Sequence, residues 1–505
     1  MKKTWLILLL ILIVQVFLRL PFLAEPLNLD EATYAQIAHR IAQGQLLYRD
    51  MIDVKPPALF FAFQILGRDT FVIRLLTNLY CLFGTILLFL IGRQLWGGKA
   101  GLVAALLYAI FGGGVFIEGT QSSPETLMLV PLLASFSLFM LGGFWVFLAG
   151  ILAGLAVMFK QTAVFNLLAM LIFAFWQKDF KKAGWLIAGA AVFPLFFTFY
   201  FIAHGTLPDF LAALFYYSSG MVKLSFLNPL FKTLYLFLFE NSILWILAFI
   251  GLVMLARQKR SVNLNLLIFW SLASFVGVYV TGYAMGHYFI QLIPVLCLLG
   301  GMAITRWSEI QFNKTLLISL LAVFGLFVVA NQYEFYFSYP PDRIATERYG
   351  SPVVAIGRQI GLEIGRRTKP GDCVSGISSV VFYSGRDSLT RYYIAVQGGR
   401  SEIWLFGKLI YAHDFNISRS PAIKKLVDED FYRFLSDKRT KYWAVDLRDL
   451  YAPPNLAAKL KEYGYVVDLE LSNRRYGIVV FKRIEEKPKS ALVLPGGNRA
   501  NLQLF

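Results

Sequence analysis

Long apolar stretches recur along the first two-thirds of the chain, separated by short polar segments. A membrane-spanning helix needs about 20 mostly apolar residues, because the hydrocarbon core of a bilayer is about 30 Å thick. About eleven stretches approach that length and predict about eleven membrane-spanning helices. They are residues 5–23, 71–92, 100–117, 126–141, 144–159, 163–176, 185–203, 242–256, 264–281, 288–305 and 315–330. The segment 230–240 either extends the eighth helix or lies on the membrane surface.

The short loops between these stretches predict the orientation of the chain, because Lys and Arg concentrate on the cytoplasmic side. Alternate loops, starting with Lys2 and Lys3, are assigned to the cytoplasm, and all of them are basic except the uncharged turn at Gly142 and Gly143. The later members of this set are Arg93, Lys99, Lys178, Lys181, Lys182, Arg257, Lys259, Arg260, Arg306 and Lys314. The first apolar stretch is long and no small-residue cleavage motif follows it, so we expect an uncleaved anchor. An odd number of spans then places everything after residue 331 outside the cytoplasmic (inner) membrane.

The apolar runs of the tail shorten to the length of strands. Predicted strands are 353–356, 380–383, 403–405, 442–445, 465–469 and 477–481, and predicted helices are 360–367 and 422–435. Alternating strands and helices are typical of an α/β domain. The expected fold is therefore a polytopic α-helical membrane protein, residues 1–331, whose first outer loop is 24–70. A soluble extracytoplasmic α/β domain, residues 332–505, follows it.

Composition supports a membrane protein and narrows the function. Hydrophobic residues make up 57% of the 505 residues and charged residues only 16%, whereas soluble proteins are about 25% charged. The formal net charge of +17 is shared by the predicted cytoplasmic loops and the tail. No recognisable nucleic-acid-binding module accompanies it, so nucleic acid is not an expected partner. The 3 cysteines and 4 histidines lack the spacing of a disulfide framework or a metal motif.

The first outer loop contains an amphipathic pattern next to several polar residues. Its apolar positions, at helical spacing, are Tyr34, Ile37, Ala38 and Ile41. This pattern predicts a helix lying on the membrane surface. Either Asp30 or Asn28 can cap its start, and Gly44 can end it.

Two features of this loop suggest chemistry. The acidic pair Asp30 and Glu31 follows the first span directly, and Lys55 stands outside against the positive-inside trend. Taken singly, Asp30 is explained as a helix cap and Lys55 as a side chain that snorkels to the interface. Together on one surface loop, they make a candidate site.

Further polar groups occur at the predicted outer ends of the spans. They are Arg74, Glu125, Lys160, Gln161, His287 and Tyr288. Ionisable groups at membrane depth are costly and indicate function. The basic members, with Lys55, could bind a phosphate, and the acidic members could act as a general base or bind a cation. A histidine at the mouth of a span is more often a hydrogen-bonded interface residue.

This charge pattern suits sugar transfer from a lipid phosphate. Nucleotide sugars are not expected outside the cytoplasm, so the donor there would be a sugar on a polyprenyl phosphate. Its leaving group is already anionic and needs cations, whereas the acceptor hydroxyl needs a base. Direct displacement would invert the anomeric centre.

The first-loop pattern resembles that of integral-membrane glycosyltransferases of the GT-C fold. The pattern is Asp30-Glu31-Ala32-x-Tyr34-Ala35, then Gly44, Tyr48-x-Asp50 and Lys55-Pro56-Pro57. It is most similar to bacterial relatives of the protein O-mannosyltransferases and of the aminoarabinose transferase that modifies lipid A. Later landmarks are also similar: Arg74-Leu75, Ser123-Pro124-Glu125, Phe159-Lys160-Gln161 and His287-Tyr288. The resemblance covers roughly residues 1–330.

The resemblance implies roles for individual residues. Asp30 matches the catalytic acidic position with Glu31 as its partner, and Lys55 matches a lysine that grips the donor phosphate. Glu125 matches a second acidic position that is usually Asp. Val54 replaces a carboxylate that is linked to a metal in the aminoarabinose transferase, so a divalent cation has no support. The expected catalytic residues are Asp30, Glu31 and Glu125; the expected donor-phosphate ligands are Lys55, Arg74, Lys160 and His287; the expected substrate contacts are Tyr34, Tyr48, Asp50, Gln161 and Tyr288.

The expected activity is therefore transfer of a hexose or pentose from a polyprenyl-phosphate donor to an extracytoplasmic glycolipid, glycan or protein. Membrane lipids are the other expected partners. The alternative is a transporter or flippase that moves a lipid-linked sugar without covalent transfer. Such proteins show inverted repeats, broken spans and charges at mid-membrane. Apart from the glycines at 112–114, which could break one span, these features are not evident here.

Overall fold

The computed structural model describes residues 2–217, 226–257, 262–283, 285–309, 313–391, 399–405, 408–415, 421–446 and 456–484. The α-helices there are α1 Lys2–Arg19, α2 Leu29–Ala42, α3 Pro57–Leu66, α4 Thr70–Trp96, α5 Gly98–Phe111, α6 Pro124–Leu141, α7 Trp145–Phe159, α8 Val164–Trp176, α9 Phe180–Ala190, α10 Val192–Ala203, α11 Leu207–Leu211, α12 Leu227–Leu236, α13 Ser242–Arg257, α14 Val262–Tyr279, α15 Ile293–Thr305, α16 Lys314–Phe337, α17 Pro341–Tyr349, α18 Val353–Arg367, α19 Ser378–Ser384, α20 Pro421–Ser436 and α21 Leu456–Glu462. The strands there are β1 Cys373–Gly376, β2 Gly399–Leu405, β3 Lys408–Phe415, β4 Thr440–Asp446, β5 Tyr465–Val467 and β6 Ile478–Arg483.

Within these ranges, 6 helical segments are long and apolar enough to cross a membrane. They are Lys2–Phe22, Thr70–Trp96, Pro124–Leu141, Phe180–Ala203, Leu227–Arg257 and Lys314–Phe337. Shorter apolar helices are Pro57–Leu66, Gly98–Phe111, Trp145–Phe159, Gln161–Trp176, Leu264–Tyr279 and Ile293–Thr305. The protein is thus a largely helical membrane protein, and the number of eleven spans stays a prediction.

Two predicted spans differ from the helices observed. The span at 100–117 was predicted too long, because α5 ends at Phe111, before three consecutive glycines. The span at 288–305 was predicted to start too early. Gly286–Gln291 is a 3-10 turn, and the α-helix begins only beside Pro294, whose missing N–H suits a first helical turn. The segment at 230–240 extends the eighth predicted span, helix α13, towards its N-terminus through a π-helical turn, Phe237–Asn241.

The chain divides into two compact units, each described here by itself. The first, which we call the helical unit, contains Met1–Glu25, Lys55–Leu207 and Val222–Ile344. Its core is built from the apolar helices, with stacked pairs such as Phe136 on Trp270 at 4.2 Å between ring centroids. The second, the tail unit, combines Pro26–Val54, Pro208–Met221 and Ala345–Phe505. Part of the first predicted outer loop is therefore grouped with the tail rather than with the spans.

The tail unit contains a four-stranded sheet with the order β1-β4-β6-β5. Strand β1 runs parallel to β4, and β6 is antiparallel to both β4 and β5. Strands β2 and β3 form a separate antiparallel pair. Four predicted strands overlap β2, β4, β5 and β6, and both predicted helices lie within α18 and α20.

Two predicted strands of the tail are wrong. Residues 353–356 begin helix α18, and residues 380–383 lie in helix α19. Residues 353–356 are helical because the apolar positions of this segment follow the helical period: Val353, Ile360 and Ile364 share one buried face of α18. The second run is apolar all round because α19 is nearly fully buried. A short apolar run does not distinguish a buried helix from a strand.

Candidate functional site

An irregular segment between α5 and α6, residues 112–123, shapes the candidate site of the helical unit; we call it the glycine loop. Arg19 at the end of α1 is buried and joins the first residue of this loop, Gly112, to Gly119. Its guanidinium donates to the carbonyl of Gly112 at 3.1 Å, to that of Gly119 at 3.1 Å and to the side-chain oxygen of Asn78 at 2.6 Å. A guanidinium has several donors in a fixed fork, so it can join chain segments that are distant in sequence.

The middle of the glycine loop is held by a second buried charge, Glu240 of the π-helical turn. Its carboxylate accepts from the backbone N–H of Phe116 at 2.6 Å and of Ile117 at 3.0 Å. A Cβ at Gly114 would lie 2.6 Å from its carboxyl carbon, so only glycine admits this approach. The loop is thereby held at Gly112, at Phe116 and Ile117, and at Gly119.

Glu125 follows the glycine loop and lies in the first turn of α6. Ser123 caps this helix by accepting from the N–H of Thr126 at 3.1 Å, and a carboxylate is favoured at a helix N-terminus. Glu125 forms an ion pair with Lys160 at the end of α7, with Oε1 2.7 Å from Nζ. The side chains are only 1% and 7% exposed. Such a pair is costly to bury and is a candidate functional feature.

A second charge pair joins the glycine loop to the turn before α15. His287 Nδ1 lies 3.0 Å from Oε2 of Glu118. The neighbouring Tyr288 packs edge-on against the imidazole at 4.9 Å, and Lys160 Nζ lies 4.5 Å from the centre of the Tyr288 ring. We call Glu118, Glu125, Lys160, His287 and Tyr288 the charge cluster.

The turn that carries His287 and Tyr288 is anchored by a buried polar network. Gln291 donates to Asn166 of α8 at 2.5 Å and accepts from Thr162 at 3.4 Å. Asn166 in turn donates to Ser274 of α14 at 2.9 Å. A buried polar network whose members are all paired favours a single conformation. The network therefore holds the turn, with the rings of His287 and Tyr288, in a defined position.

Three further predicted site residues belong to the helical unit: Lys55, Arg74 and Gln161. Lys55 and Gln161 are half-buried, and Gln161 opens the 3-10 turn before α8. Arg74 is fully buried in α4 and donates from Nε to the carbonyl of Glu25 at 3.4 Å. The structure therefore brings together Glu125, Lys160, His287 and Tyr288 of the predicted set, and the charge of Lys55 also acts on Glu125.

The acidic pair of the first loop lies in the tail unit, at the start of α2. Asn28 is the N-cap: its side chain accepts from the N–H of Glu31 at 2.8 Å. Glu31 completes a capping box by accepting from the N–H of Asn28 at 3.1 Å and is buried. Asp30 is exposed in the same turn and forms no hydrogen bond or ion pair with residues that the structure describes. Of the two carboxylates, Asp30 is the one left open to a substrate.

Tyr34, Tyr48 and Asp50 also belong to the tail unit. Tyr34 is buried in α2, and Tyr48 is buried with its ring 5.6 Å from that of Phe210. Burial, reinforced by the charge of Asp53, raises the pKa of Tyr48 well above its usual value.

Asp50 closes the turn that follows α2. It accepts from the backbone N–H of Leu46 at 2.8 Å and from Arg49 Nε at 3.1 Å. Burial alone would raise the pKa of Asp50, but these hydrogen bonds outweigh it and lower the pKa. These hydrogen bonds hold the turn after α2 in place.

Helix α2 packs on helix α19 of the tail through polar and backbone contacts. The hydroxyl oxygens of Thr33 and Ser378 are 2.7 Å apart. Tyr383 accepts from the N–H of Leu27 at 2.8 Å, just before the helix. Arg40, near its end, donates to the carbonyl of Thr390 at 2.6 Å. These contacts fix the direction in which α2 presents Asp30.

Sequence reasoning missed three charged residues of the site: Arg19, Glu118 and Glu240. Each is an ionisable residue at the edge of an apolar stretch, a signal that marks functional positions in membrane proteins. Glu118 also lies four residues after three consecutive glycines, which are typical of an irregular backbone. Among the described residues, no group of three or more His, Cys, Asp or Glu could hold a metal ion.

Comparisons with known proteins identify the fold. Residues 55–202 match the family model described as dolichyl-phosphate-mannose-protein mannosyltransferase. The crystal structure of ArnT from Cupriavidus metallidurans bound to undecaprenyl phosphate is similar, with TM-score 0.63 and 14% identity over 97% of this chain and 99% of that one. The archaeal oligosaccharyltransferase AglB from Archaeoglobus fulgidus, in complex with an inhibitory peptide and a dolichol-phosphate, has TM-score 0.52 and 12% identity over 97% of this chain and 75% of that one.

A search of curated protein sequences found no match to the chain. At these identities the structural likeness concerns the fold, which extends over nearly the whole chain. ArnT and AglB are GT-C fold glycosyltransferases, so the resemblance expected from the first loop is confirmed at the level of the fold. The chain has the GT-C glycosyltransferase fold, and its residues 55–202 match the dolichyl-phosphate-mannose-protein mannosyltransferase family model.

Proposed function

We propose that the protein transfers a hexose or pentose from a polyprenyl-phosphate donor to an extracytoplasmic acceptor, a glycolipid, glycan or protein. The observation that carries the proposal is the charge cluster, which contains the buried ion pair of Glu125 with Lys160 and the partly buried pair of Glu118 with His287. Buried charges in a membrane protein are expensive and are retained for function. The solved structures that share this fold contain undecaprenyl phosphate in one case and a dolichol-phosphate in the other, which supports a lipid-phosphate donor.

In the proposed reaction, Asp30 is the general base. It accepts the proton of the acceptor hydroxyl while that oxygen attacks the anomeric carbon. The bond from the anomeric carbon to the phosphate oxygen breaks, and its electron pair leaves with the lipid phosphate. The anomeric centre is inverted. Because phosphate is already a good leaving group, no acid is required, and the rate depends on orientation and charge.

Lys55, Arg74, Lys160 and His287 are proposed to bind the donor phosphate. Glu125 orients Lys160 through the buried ion pair, and Glu31 holds the start of the helix that carries Asp30. Tyr34, Tyr48, Asp50, Gln161 and Tyr288 remain candidate substrate contacts. No divalent cation is required by this scheme.

A transfer assay tests the proposal. Purified protein in liposomes receives polyprenyl phosphates carrying different labelled sugars, together with lipid, glycan and peptide acceptors. Release of free polyprenyl phosphate with a labelled covalent product is the expected result. Movement of intact donor across the bilayer without any product would contradict transfer and favour the alternative, a transporter or flippase.

A further inference from the structure

Glu118, which no part of the proposed reaction uses, occupies an unusual backbone position in the helical unit. Its φ angle is +59°, in the left-handed region that a residue other than glycine rarely adopts. Such conformations cost free energy and persist where the surrounding structure enforces them, often at functional sites. The conformation is therefore a reason to ask what the side chain does.

The surrounding structure holds Glu118 tightly against the turn of His287. Glu240 fixes the two preceding residues by accepting their N–H groups. From the other side, Gly286 approaches so closely that a Cβ there would lie 2.0 Å from the carbonyl oxygen of Phe116 and 3.1 Å from Oε1 of Glu118. Contacts of the glycine loop and of the turn at Gly286 thus hold the Glu118 carboxylate next to the His287 imidazole.

The hydrogen bond to Glu118 leaves one ring nitrogen of His287 available. Nδ1 faces the carboxylate at 3.0 Å, while Nε2 forms no hydrogen bond with residues that the structure describes. A carboxylate bonded to one nitrogen fixes the direction of the ring and determines what the other nitrogen offers. A protonated ring would offer a charged N–H donor at Nε2, as a phosphate oxygen requires.

The charges that face His287 favour the protonated ring. They are Glu118 from the glycine loop, Glu125 from α6 and Lys160 from the end of α7. Burial and Lys160 oppose the positive charge, but the two carboxylates outweigh them and raise the pKa of His287 above its usual value.

We propose that Glu118 is a positioning residue that orients the ring of His287 so that Nε2 donates a hydrogen bond to the donor phosphate. The inference rests on the proposed function, because it assumes that His287 binds the phosphate of the donor and adds that Glu118 positions His287. Neither residue changes covalently: Nε2 donates a hydrogen bond, and the lipid phosphate leaves with the electron pair of the broken carbon–oxygen bond.

The test compares donor KM and kcat across pH for wild type, Glu118→Gln and Glu118→Asp. Because the His287 pKa is raised in the folded protein, phosphate binding is strong below that pKa and weakens as pH rises through it. Glu118→Gln removes one of the two carboxylates that raise the pKa of His287, so the alkaline loss of kcat/KM moves to lower pH. A charge-assisted hydrogen bond is worth about 1.5–3 kcal/mol, so KM at neutral pH should rise about 10- to 100-fold while kcat changes less. Glu118→Asp keeps a carboxylate, so its KM and pH profile should lie between those of wild type and Glu118→Gln.

Two controls separate this role from a structural one. Glu470→Gln removes a carboxylate from an exposed pair with Arg367 in the tail unit and should leave the pH profile at wild type. Gly286→Ala should raise KM by separating the two segments, whereas Gly184→Ala, where a Cβ meets nothing within 4 Å, should not. An unchanged pH profile and KM in Glu118→Gln would overturn the inference.

A second readout does not depend on sugar transfer. The chain has 4 histidines, so imidazole ¹⁵N signals can be assigned by comparison with His287→Asn. The His287 signal should titrate above about 6.5, the ordinary value, in wild type and at lower pH in Glu118→Gln, and added undecaprenyl phosphate should shift it. Equal midpoints, or no shift with undecaprenyl phosphate, would contradict the inference. Absence of any transfer by wild type would contradict the proposed function instead.

Discussion

The ion pair between Glu125 and Lys160 shows how a single buried charge constrains this site. Both side chains are almost fully removed from solvent, with Oε1 and Nζ 2.7 Å apart. Removing one partner from such a pair leaves an uncompensated buried charge, whereas removing both leaves none. Stability and function can therefore be separated at these two positions.

We expect Glu125→Gln to destabilise the protein by about 3–5 kcal/mol, because the Lys160 charge stays buried without its partner. The double variant Glu125→Gln with Lys160→Met should recover most of that loss and still lack transfer, because the proposed phosphate ligand is gone. Thermal unfolding in detergent and the transfer assay measure the two effects. Equal destabilisation by the single and double variants would show that the pair is not the cause.

Individual site residues were predictable where their chemistry is visible in the side chain. Glu125, Lys160 and His287 are ionisable groups at the ends of apolar stretches, and that signal made them candidates. Arg19 and Glu240 give the same signal and were missed. Arg19 and Glu240 bond backbone groups that lie far away in the sequence. Every residue has a backbone carbonyl, and all but proline have an N–H, so the sequence does not indicate which of these groups a side chain will bond. The partners of Arg19 and Glu240 are therefore known only from the structure.

Helix α2 is the element that presents Asp30, and its start is set by a capping box. The sequence left open whether Asp30 or Asn28 caps the helix; the structure assigns the cap to Asn28 and leaves Asp30 exposed. The division of roles follows from the hydrogen bonds between Asn28 and Glu31. Cap and proposed base are therefore separate residues that can be changed independently.

Asn28→Ala should destabilise the start of α2 by about 0.5–2 kcal/mol, because an N–H of the first turn loses its acceptor. Transfer should fall with it, since the position of Asp30 depends on that turn. Asn28→Ser keeps a capping oxygen and is the matched control. Hydrogen exchange of the first-turn amides and the transfer rate are measured together; faster exchange at an unchanged rate would separate the cap from the activity.

At the level of elements, the sequence predicted spans better than tail strands. Spans follow from apolar length, which the bilayer imposes. The runs at 353–356 and 380–383 were mistaken for strands because both belong to nearly buried helices, where short apolar runs lose their period. The helix ends at Phe111 and Ile293 needed the positions of glycines and a proline rather than hydrophobicity.

The tail unit joins parts of the chain that are far apart in sequence. Its contact between Thr33 and Ser378, with the hydroxyl oxygens 2.7 Å apart, links the helix of the proposed base to the tail. No local pattern predicts such a pairing. The tail therefore supports the element that carries Asp30.

Cysteines at both positions, Thr33→Cys with Ser378→Cys, should form a disulfide on mild oxidation, because the side chains lie within bonding reach. The native cysteines, Cys81, Cys297 and Cys373, are buried, so they interfere little. Either single variant is the control. Mass spectrometry of the cross-linked peptide measures the outcome, and failure to cross-link in folded protein would contradict this packing.

In the whole molecule, Asp30 is the exposed carboxylate proposed to act as the base in sugar transfer from a lipid phosphate. Single-turnover transfer by Asp30→Asn tests this role most directly, because Asp30 makes no contact whose loss would unfold the described structure. The matched control is Asp209→Asn, a carboxylate in the first turn of another helix of the tail unit. We expect wild-type stability for both variants, a wild-type rate for Asp209→Asn and a loss of about 100-fold or more in the rate for Asp30→Asn. Transfer by Asp30→Asn at the wild-type rate would contradict this role.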